Sequence, residues 1–321
     1  MRFLIGAYAA AIAALMGVFP ALADWPERPV TLVVSQGAGA SPDIMARLLA
    51  EKLSAKLGTR FIVDNRPGGG NVVGSASVAR SAPDGYTLFF ATSAALVTNP
   101  YVMKNLPYDP LKSFDPAALV ATSQILIVAN PASGITSVKS LIEKSKAGPV
   151  VSVGVDSPRN LSGIIARAIN HEAGIQLRLV SYNNIPQSVQ DTVSGVIPVS
   201  IQSESVVTPY LKDNSLKAIA VAGSEGIEML PDLPTVTSVL PGVDLKGWFM
   251  IVTPKGVDPA IIDKLNAAVR AVIAEPEVQA LAKRLGFQLS PGYDVAKSAA
   301  FLESQLKDWK AITANLGIVP E

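Results

Sequence analysis

Short apolar runs alternate with amphipathic stretches of helical period along most of the chain, and this alternation sets the fold class. In the first module, the strand-length apolar runs are 30–34, 60–64 and 86–90. Helical stretches at 42–58 and 72–80 lie between them, and Gly58 ends the first. This β-α-β-α-β order predicts an α/β fold with parallel strands and helices on both faces of the sheet.

A second module repeats the pattern. Its predicted strands are 125–129, 150–155, 177–180, 199–201 and 216–222, with helices starting near 136, 158 and 185. The C-terminal part returns to a strand at 249–252 and then forms helices at 259–274, 276–285 and 295–316. Two modules in series predict two lobes with two chain crossings. We expect residues 24–124 and 248–321 to form lobe I and residues 125–247 to form lobe II.

The N-terminus has the layout of a secretory signal peptide. Arg2 precedes an uncharged apolar stretch at 3–19, and Ala21-Leu22-Ala23 supplies small residues for cleavage after Ala23. The alternative is a membrane anchor, but the stretch is near the lower length limit for a span. We therefore predict an exported protein whose mature chain starts at Asp24.

Composition narrows the function classes. Without Arg2, the 27 basic residues become 26 and balance the 26 acidic ones, so the mature chain is formally neutral and a nucleic-acid partner is not expected. The chain has no Cys and one His, His171, which leaves no thiolate or multi-histidine metal site. We expect no cofactor, and we expect a monomer.

Two Ser-Pro pairs stand where a predicted strand gives way to a helix. In each, Ser41-Pro42 or Ser157-Pro158, serine suits the N-cap and proline suits the first helical position. Small or polar residues precede each pair, namely Gly37, Ala38, Gly39 and Ala40 in one loop and Gly154, Val155 and Asp156 in the other. Helix N-termini favour anions, and ligands of parallel α/β sheets lie beyond the carboxyl ends of the strands. The pairs predict either a carboxylate clamp or simple helix caps.

Several motifs carry a resemblance that covers nearly all of the mature chain. They are Asp64-Asn65-Arg66-Pro67-Gly68-Gly69-Gly70-Asn71, Ala82-Pro83-Asp84-Gly85-Tyr86-Thr87-Leu88, Leu106-Pro107-Tyr108-Asp109-Pro110 and Leu230-Pro231-Asp232-Leu233-Pro234. In order and spacing the chain resembles the substrate-binding family of tripartite tricarboxylate transporters, also called the Bordetella uptake gene receptors. The resemblance implies a type II periplasmic-binding-protein fold of two Rossmann-like lobes with a ligand cleft between them. It also implies a periplasmic location, a small organic carboxylate ligand and a membrane permease with a large and a small subunit.

The departures from the family pattern fall in the two ligand loops. The first loop keeps the family's Asp, here Asp43, but lacks its aromatic residue and its Pro-Gly-Gly. The second loop has Asp156 in place of Gly and Asn160 in place of His. Asp156 would repel an anion unless Arg159 pairs with it or with the ligand. An amino-carboxylate, or a ligand with an amide or aromatic body, therefore suits this cleft better than a tricarboxylate.

The candidate ligand-binding residues are Gly37, Ala38, Gly39, Ala40, Ser41, Asp43, Ser93, Asp156, Ser157, Arg159, Asn160 and Tyr182. Ser93 follows a strand, and its hydroxyl is expected either to donate to the ligand or to cap the next helix. Asp43 suits loop orientation better than direct contact with an anion. We expect Trp248 to pack near the second crossing rather than to line the cleft.

Two alternatives to a transport receptor remain open at this point. The same lobes could report ligand to a membrane sensor kinase. A secreted hydrolase would need His171 as the base for a serine, and no G-x-S-x-G motif is present. Hinge closure over the ligand is the expected mechanism of a receptor.

Overall fold

The computed structural model describes residues 25–224 and 226–320 and contains two sheets, one of six strands and one of five. The predicted signal peptide and its cleavage after Ala23 lie outside the described residues. Within the described ranges, no helix is both long and apolar enough to cross a membrane. The fold is the α/β arrangement that the alternation predicts.

The six-stranded sheet has the order β11-β4-β10-β3-β1-β2. Its strands are β1 (Val30–Val34), β2 (Phe61–Asn65), β3 (Thr87–Thr92), β4 (Phe114–Ser123), β10 (Gly247–Pro254) and β11 (Phe287–Leu289). The first three strands are parallel as predicted, with Val33 paired to Asp64 and Phe89. By contrast, β10 runs antiparallel to both β3 and β4. The sheet is therefore mixed, and β4 and β11 are strands that the sequence patterns did not predict.

Helices cover both faces of this sheet. They are α1 (Ser41–Leu57), α2 (Val72–Ala79), α3 (Asn99–Val102), α8 (Pro259–Ile273), α9 (Pro276–Arg284) and α10 (Val295–Asn315), with a π-helical turn at Ala94–Thr98. Gly58 ends α1 with φ 67°, a left-handed conformation that glycine adopts without strain. Leu32 and Phe90 of the sheet are fully buried in one hydrophobic cluster with Leu49 of α1 and Leu265 of α8.

The five-stranded sheet has the order β7-β6-β8-β5-β9. Its strands are β5 (Ile125–Ala129), β6 (Ser152–Val155), β7 (Arg178–Ser181), β8 (Val199–Ser203) and β9 (Lys217–Val221). Its helices are α4 (Val138–Ala147), α5 (Leu161–Ala173), α6 (Ile185–Val193) and α7 (Glu204–Lys212), of which α7 was not predicted. Ser137 caps α4 in a reciprocal bond pair with Ser140, close to the predicted helix start near residue 136.

The chain passes between the two sheets at two neighbouring places. One is Gln124, between the end of β4 at Ser123 and the start of β5. The other is the approach to β10, which begins at Gly247. We call the six-stranded sheet with its helices lobe I, and the five-stranded sheet with its helices lobe II. Trp248 lies beside the second crossing, is 1% exposed and packs edge-on against Phe301, so packing is its role as expected.

Candidate functional site

The loop after β1 and the loop after β6 face each other across the space between the lobes. Gln36 Nε2 of lobe I approaches Asp156 Oδ2 of lobe II at 3.5 Å. Asn71 Nδ2 donates to Asn160 Oδ1 at 2.9 Å, and both residues are buried. These contacts bring the carboxyl ends of β1 and β6 together, where an α/β sheet binds its ligands. The lobes are therefore closed.

The start of α1 differs from the predicted Ser-capped start. The helix begins at Ser41, its N-cap is Ala40, and no side chain caps it. The Ser41 hydroxyl instead accepts a hydrogen bond of 2.9 Å from Ser205 Oγ in lobe II. The prediction that Ser41 is the cap is wrong because its hydroxyl bonds across the cleft. Pro42, which has no N–H, lies one position further into the first turn than predicted.

Asp43 organises the loop that leads into α1. Its carboxylate accepts from Gly39 N–H at 2.9 Å, from Arg47 Nε at 3.0 Å and from Asn65 Nδ2 at 2.9 Å. Burial alone would raise the pKa of Asp43, but these donors together hold it below its ordinary value. The carboxylate thus orients the loop, as expected, through its bond from Gly39, which has a left-handed conformation at φ 79°.

The start of α5 also departs from the Ser-Pro prediction. The helix begins at Leu161 and its N-cap is Asn160, three residues after the predicted cap Ser157. Ser157 Oγ accepts from Arg159 N–H at 3.2 Å, so Ser157-Pro158 forms a turn. The prediction failed because this turn folds back onto the helix. A side chain at Gly163 would collide with the backbone of Ser157 and Pro158.

Asp156 is the carboxylate at the centre of the second loop. One carboxylate oxygen accepts from Ser157 N–H at 3.0 Å and from the Ser162 hydroxyl. The other accepts from Asn160 Nδ2 at 2.9 Å. Burial raises the pKa of Asp156, and these donors oppose the rise without cancelling it. The side chain therefore stands where its negative charge is poorly solvated.

Two pockets lie in the cleft, and Gln36 and Asp156 line both of them. The inner pocket has a volume of about 60 Å³, and its lining includes Ala40, Ser41, Ser93, Ser123, Leu161, Gln202 and Phe249. The outer pocket has a volume of about 270 Å³, and its lining includes Ser35, Gly37, Asn71, Ser157, Asn160 and Tyr182. Both are lined by Gln36, Asp156 and Ile185, so the two pockets meet at this point.

Ser123 Oγ in the inner pocket is a buried polar atom without a partner. The residue is 2% exposed, and its hydroxyl has no hydrogen bond to any described residue. A buried hydroxyl without a partner costs free energy, so such a group commonly has a water or ligand partner. The sequence reasoning missed Ser123, Gln36 and Asn71 because only the fold brings them to the cleft.

The profile of the tripartite tricarboxylate transporter family receptor matches residues 45–318. The chain belongs to this receptor family. The receptor is 31% identical to a UPF0065 protein of Bordetella bronchiseptica, over 92% of this chain and 88% of that protein.

Solved structures agree with this assignment. The receptor is similar to the structure of R. palustris Rpa4515 with adipate, with a TM-score of 0.88, 26% identity, and coverage of 92% of this chain and 100% of that one. It is similar to the periplasmic binding protein BugD, with a TM-score of 0.87 and 27% identity over 92% of this chain and 100% of that one. These likenesses confirm the predicted two-lobed periplasmic-binding fold.

The predicted site residues of the receptor fall into three groups. Those lining the inner pocket are Ala40, Ser41, Ser93 and Asp156, and those lining the outer pocket are Gly37, Asp156, Ser157, Asn160 and Tyr182. Those that line neither pocket are Ala38, Gly39, Asp43 and Arg159. The structure thus brings most of the candidates to one cleft, and Asp43 lies behind it.

Tyr182 is held in place within the outer pocket. Its hydroxyl donates to Asp191 Oδ2 at 2.8 Å. Burial, together with this bond and the charge of Asp191, raises the pKa of Tyr182 to about 12. The phenol therefore stays neutral at physiological pH.

His171 lies near the end of α5 with 55% of its side chain exposed, next to Glu172 at 3.5 Å. Among the described residues, no serine hydroxyl is hydrogen-bonded to it. No group of three potential metal-ligating side chains occurs within the described ranges. The arrangement that the hydrolase alternative requires is therefore not found in the part of the chain described.

Proposed function

We propose that the protein is a periplasmic receptor that captures a small organic carboxylate between its lobes and delivers it to the membrane permease of a tripartite tricarboxylate transporter. The observation that carries this proposal is the inner pocket, whose lining includes the start of α1 and Ser123 with its unpartnered hydroxyl. Membership of the receptor family supports it, as does the adipate, a dicarboxylate, in the Rpa4515 structure.

The carboxylate of the ligand meets backbone N–H groups at the first turn of α1. This helix has 17 residues, and its first turn carries N–H groups that no helical carbonyl accepts. Ala40 and Ser41 line the pocket at this end. Ser93 and Ser123 add hydroxyls from lobe I, and Asn160 and Tyr182 face the ligand from lobe II. Gly37, Ala38 and Gly39 keep the loop close to the ligand, and Asp43 orients it.

Closure and release follow from the two crossings. We place the lobe boundaries at Gln124 and near Lys246, so that residues 125–246 move as one unit. In the closed state, Ser205 donates to Ser41, and Asn71 donates to Asn160. These bonds form only when the lobes meet. A ligand that touches both lobes binds the closed state better and shifts the population towards it.

The protein carries out no chemistry on its ligand in this proposal. Its role ends with presentation of the closed, loaded form to the permease. The leader at the N-terminus would place it in the periplasm, as the family requires. Fractionation of cells that express the full chain, with the start of the mature protein read by mass spectrometry, tests export and cleavage after Ala23 together.

A thermal-shift screen tests the ligand class. Mono-, di-, tri- and amino-carboxylates are added to the purified mature protein, and a ligand that binds only the folded form raises its melting temperature. Ser123→Ala should weaken binding of any hit, while the exposed Asp232→Asn is a matched control outside the cleft. If no carboxylate raises the melting temperature of the wild-type protein, the proposal is wrong.

A further inference from the structure

The charge of the cleft is unusual for a receptor of anions. Among the described residues that line the two pockets, Asp156 is the one acidic side chain, and no lysine, arginine or histidine is present. A dicarboxylate in these pockets would bring two negative charges next to a third. Like charges that lie close together repel each other, and the repulsion is stronger when they are buried.

Asp156 stands at the point where the pockets meet. It lines both of them, and its Oδ2 atom faces Gln36 of the opposite lobe at 3.5 Å, the outer limit of a hydrogen bond. Asn160 donates to the same oxygen at 2.9 Å. A carboxylate oxygen can accept two bonds, so the weak Gln36 contact leaves a position for a stronger donor from the ligand.

A cationic donor would benefit most from this position. Burial raises the pKa of Asp156, which means that its ionised form lacks sufficient stabilisation in the ligand-free cleft. An ammonium group within hydrogen-bond distance stabilises the ionised form, and charge-assisted bonds are about twice as strong as neutral ones. The cleft therefore has a built position for a positive group beside the position for a negative one.

We propose that the ligand is a small amino-carboxylate whose ammonium group donates to Asp156 while its carboxylate meets the start of α1. The proposal rests on the proposed function and specifies its substrate class. The hydroxyl of Ser123, 2% exposed and without a protein partner in the described chain, points to a polar contact in the inner pocket. The rest of that pocket includes Leu161, Ile201 and Phe249, which would contact an apolar part of the ligand.

Matched pairs of ligands that differ only by the amino group test this proposal. Titration calorimetry would compare aspartate with succinate, glutamate with glutarate, and leucine with 4-methylpentanoate. In at least one pair, the amino member should bind the wild-type protein about 10-fold or more tightly than its partner, as expected for a charge-assisted bond. The comparison uses only the wild-type protein, so it does not depend on how any variant folds.

The variant Asp156→Asn tests whether the preference for the amino member of each pair arises from Asp156. It keeps the size of the side chain and removes the charge, so the preference should fall below about 3-fold, whereas the exposed Asp232→Asn should preserve it. If the wild-type protein binds the amino-free members equally well or better, or if Asp156→Asn retains the full preference, the inference is wrong. Binding of amino-free carboxylates alone would overturn this inference and leave the proposed function intact. Binding of no carboxylate at all would overturn both.

Discussion

Replacement of Asp43 by Asn tests how the first cleft loop is held. Both oxygens of the carboxylate accept hydrogen bonds. Oδ2 accepts from Gly39 N–H and Arg47 Nε. Oδ1 accepts from Asn65 Nδ2 and forms an ion pair with a second nitrogen of Arg47. An amide has one acceptor oxygen and one donating NH₂ group. In either orientation, Asp43→Asn places an NH₂ group against donors, and one side of the network is lost.

The magnitude follows from the exposure of each partner. The bond from Gly39 N–H reaches a side chain that is 4% exposed, and a bond to a buried charged group contributes about 1.5–3 kcal/mol. The Arg47 side chain is 54% exposed, so its ion pair adds at most about 1 kcal/mol. The sum is a loss of roughly 1.5–4 kcal/mol, which for a chain of this size lowers the melting temperature by about 2–6 °C.

The pH dependence gives an independent check. The pKa of Asp43 is lower in the folded protein than in the unfolded chain, so its stabilising effect is present above the unfolded pKa of about 3.9 and is lost as the pH falls through the folded pKa. The difference in stability between wild type and Asp43→Asn should thus be smaller in acid than at neutral pH. Calorimetry at about pH 7 and about pH 3 measures this difference at each pH, with Asp232→Asn as the exposed control. A melting temperature of Asp43→Asn within about 1 °C of wild type at neutral pH would refute this reasoning.

Three further changes test other parts of the structure. Asn160→Ala removes the bond from Asn71 that forms only in the closed state, so calorimetry should show about 5-fold weaker ligand binding. Unchanged affinity would contradict the role of this bond in stabilising the closed state. Burial raises the pKa of Glu204, so the wild-type protein should become more stable as the pH falls through that pKa. In thermal melts, Glu204→Gln should be more stable than wild type near neutral pH and should not show this gain in acid. Gly163→Ala should destabilise by about 2 kcal/mol in chemical denaturation because its methyl group would collide with the preceding turn. The control Gly292→Ala, which enters open space, should change little.

Local sequence patterns were sufficient for the parallel strands and most helices. The run Val30–Val34 is a strand from end to end because four of its five residues are buried and four are β-branched. In contrast, β4 (Phe114–Ser123) contains Pro116 and several small residues, a composition that does not favour a strand. It is a strand because it pairs with β10, and a register shift lies next to Pro116. Its stability is tertiary in origin, so no local pattern could reveal it.

The two cleft loops were predicted for a reason that proved partly wrong. Small residues and Ser-Pro pairs do mark both loops, but neither serine caps its helix. The Ser41 hydroxyl bonds to Ser205, a residue 164 positions away. Ser157 lies in a turn that depends on Gly163. Both outcomes depend on contacts that form only after folding and closure, and for this reason spacing along the chain could not distinguish a cap from a contact between lobes.

The contacts between the lobes also explain why a small ligand can control closure. The bonds from Ser205 to Ser41 and from Asn71 to Asn160 join neutral groups, each with a net contribution of about 0.5–1.5 kcal/mol. A contribution of this size leaves the open and closed states close in free energy. A ligand that prefers the closed state by about 3 kcal/mol would then shift the population more than 100-fold. The ion pair between Lys283 of lobe I and Glu228 of lobe II joins two exposed side chains, so it adds at most about 1 kcal/mol and leaves closure under the control of the ligand.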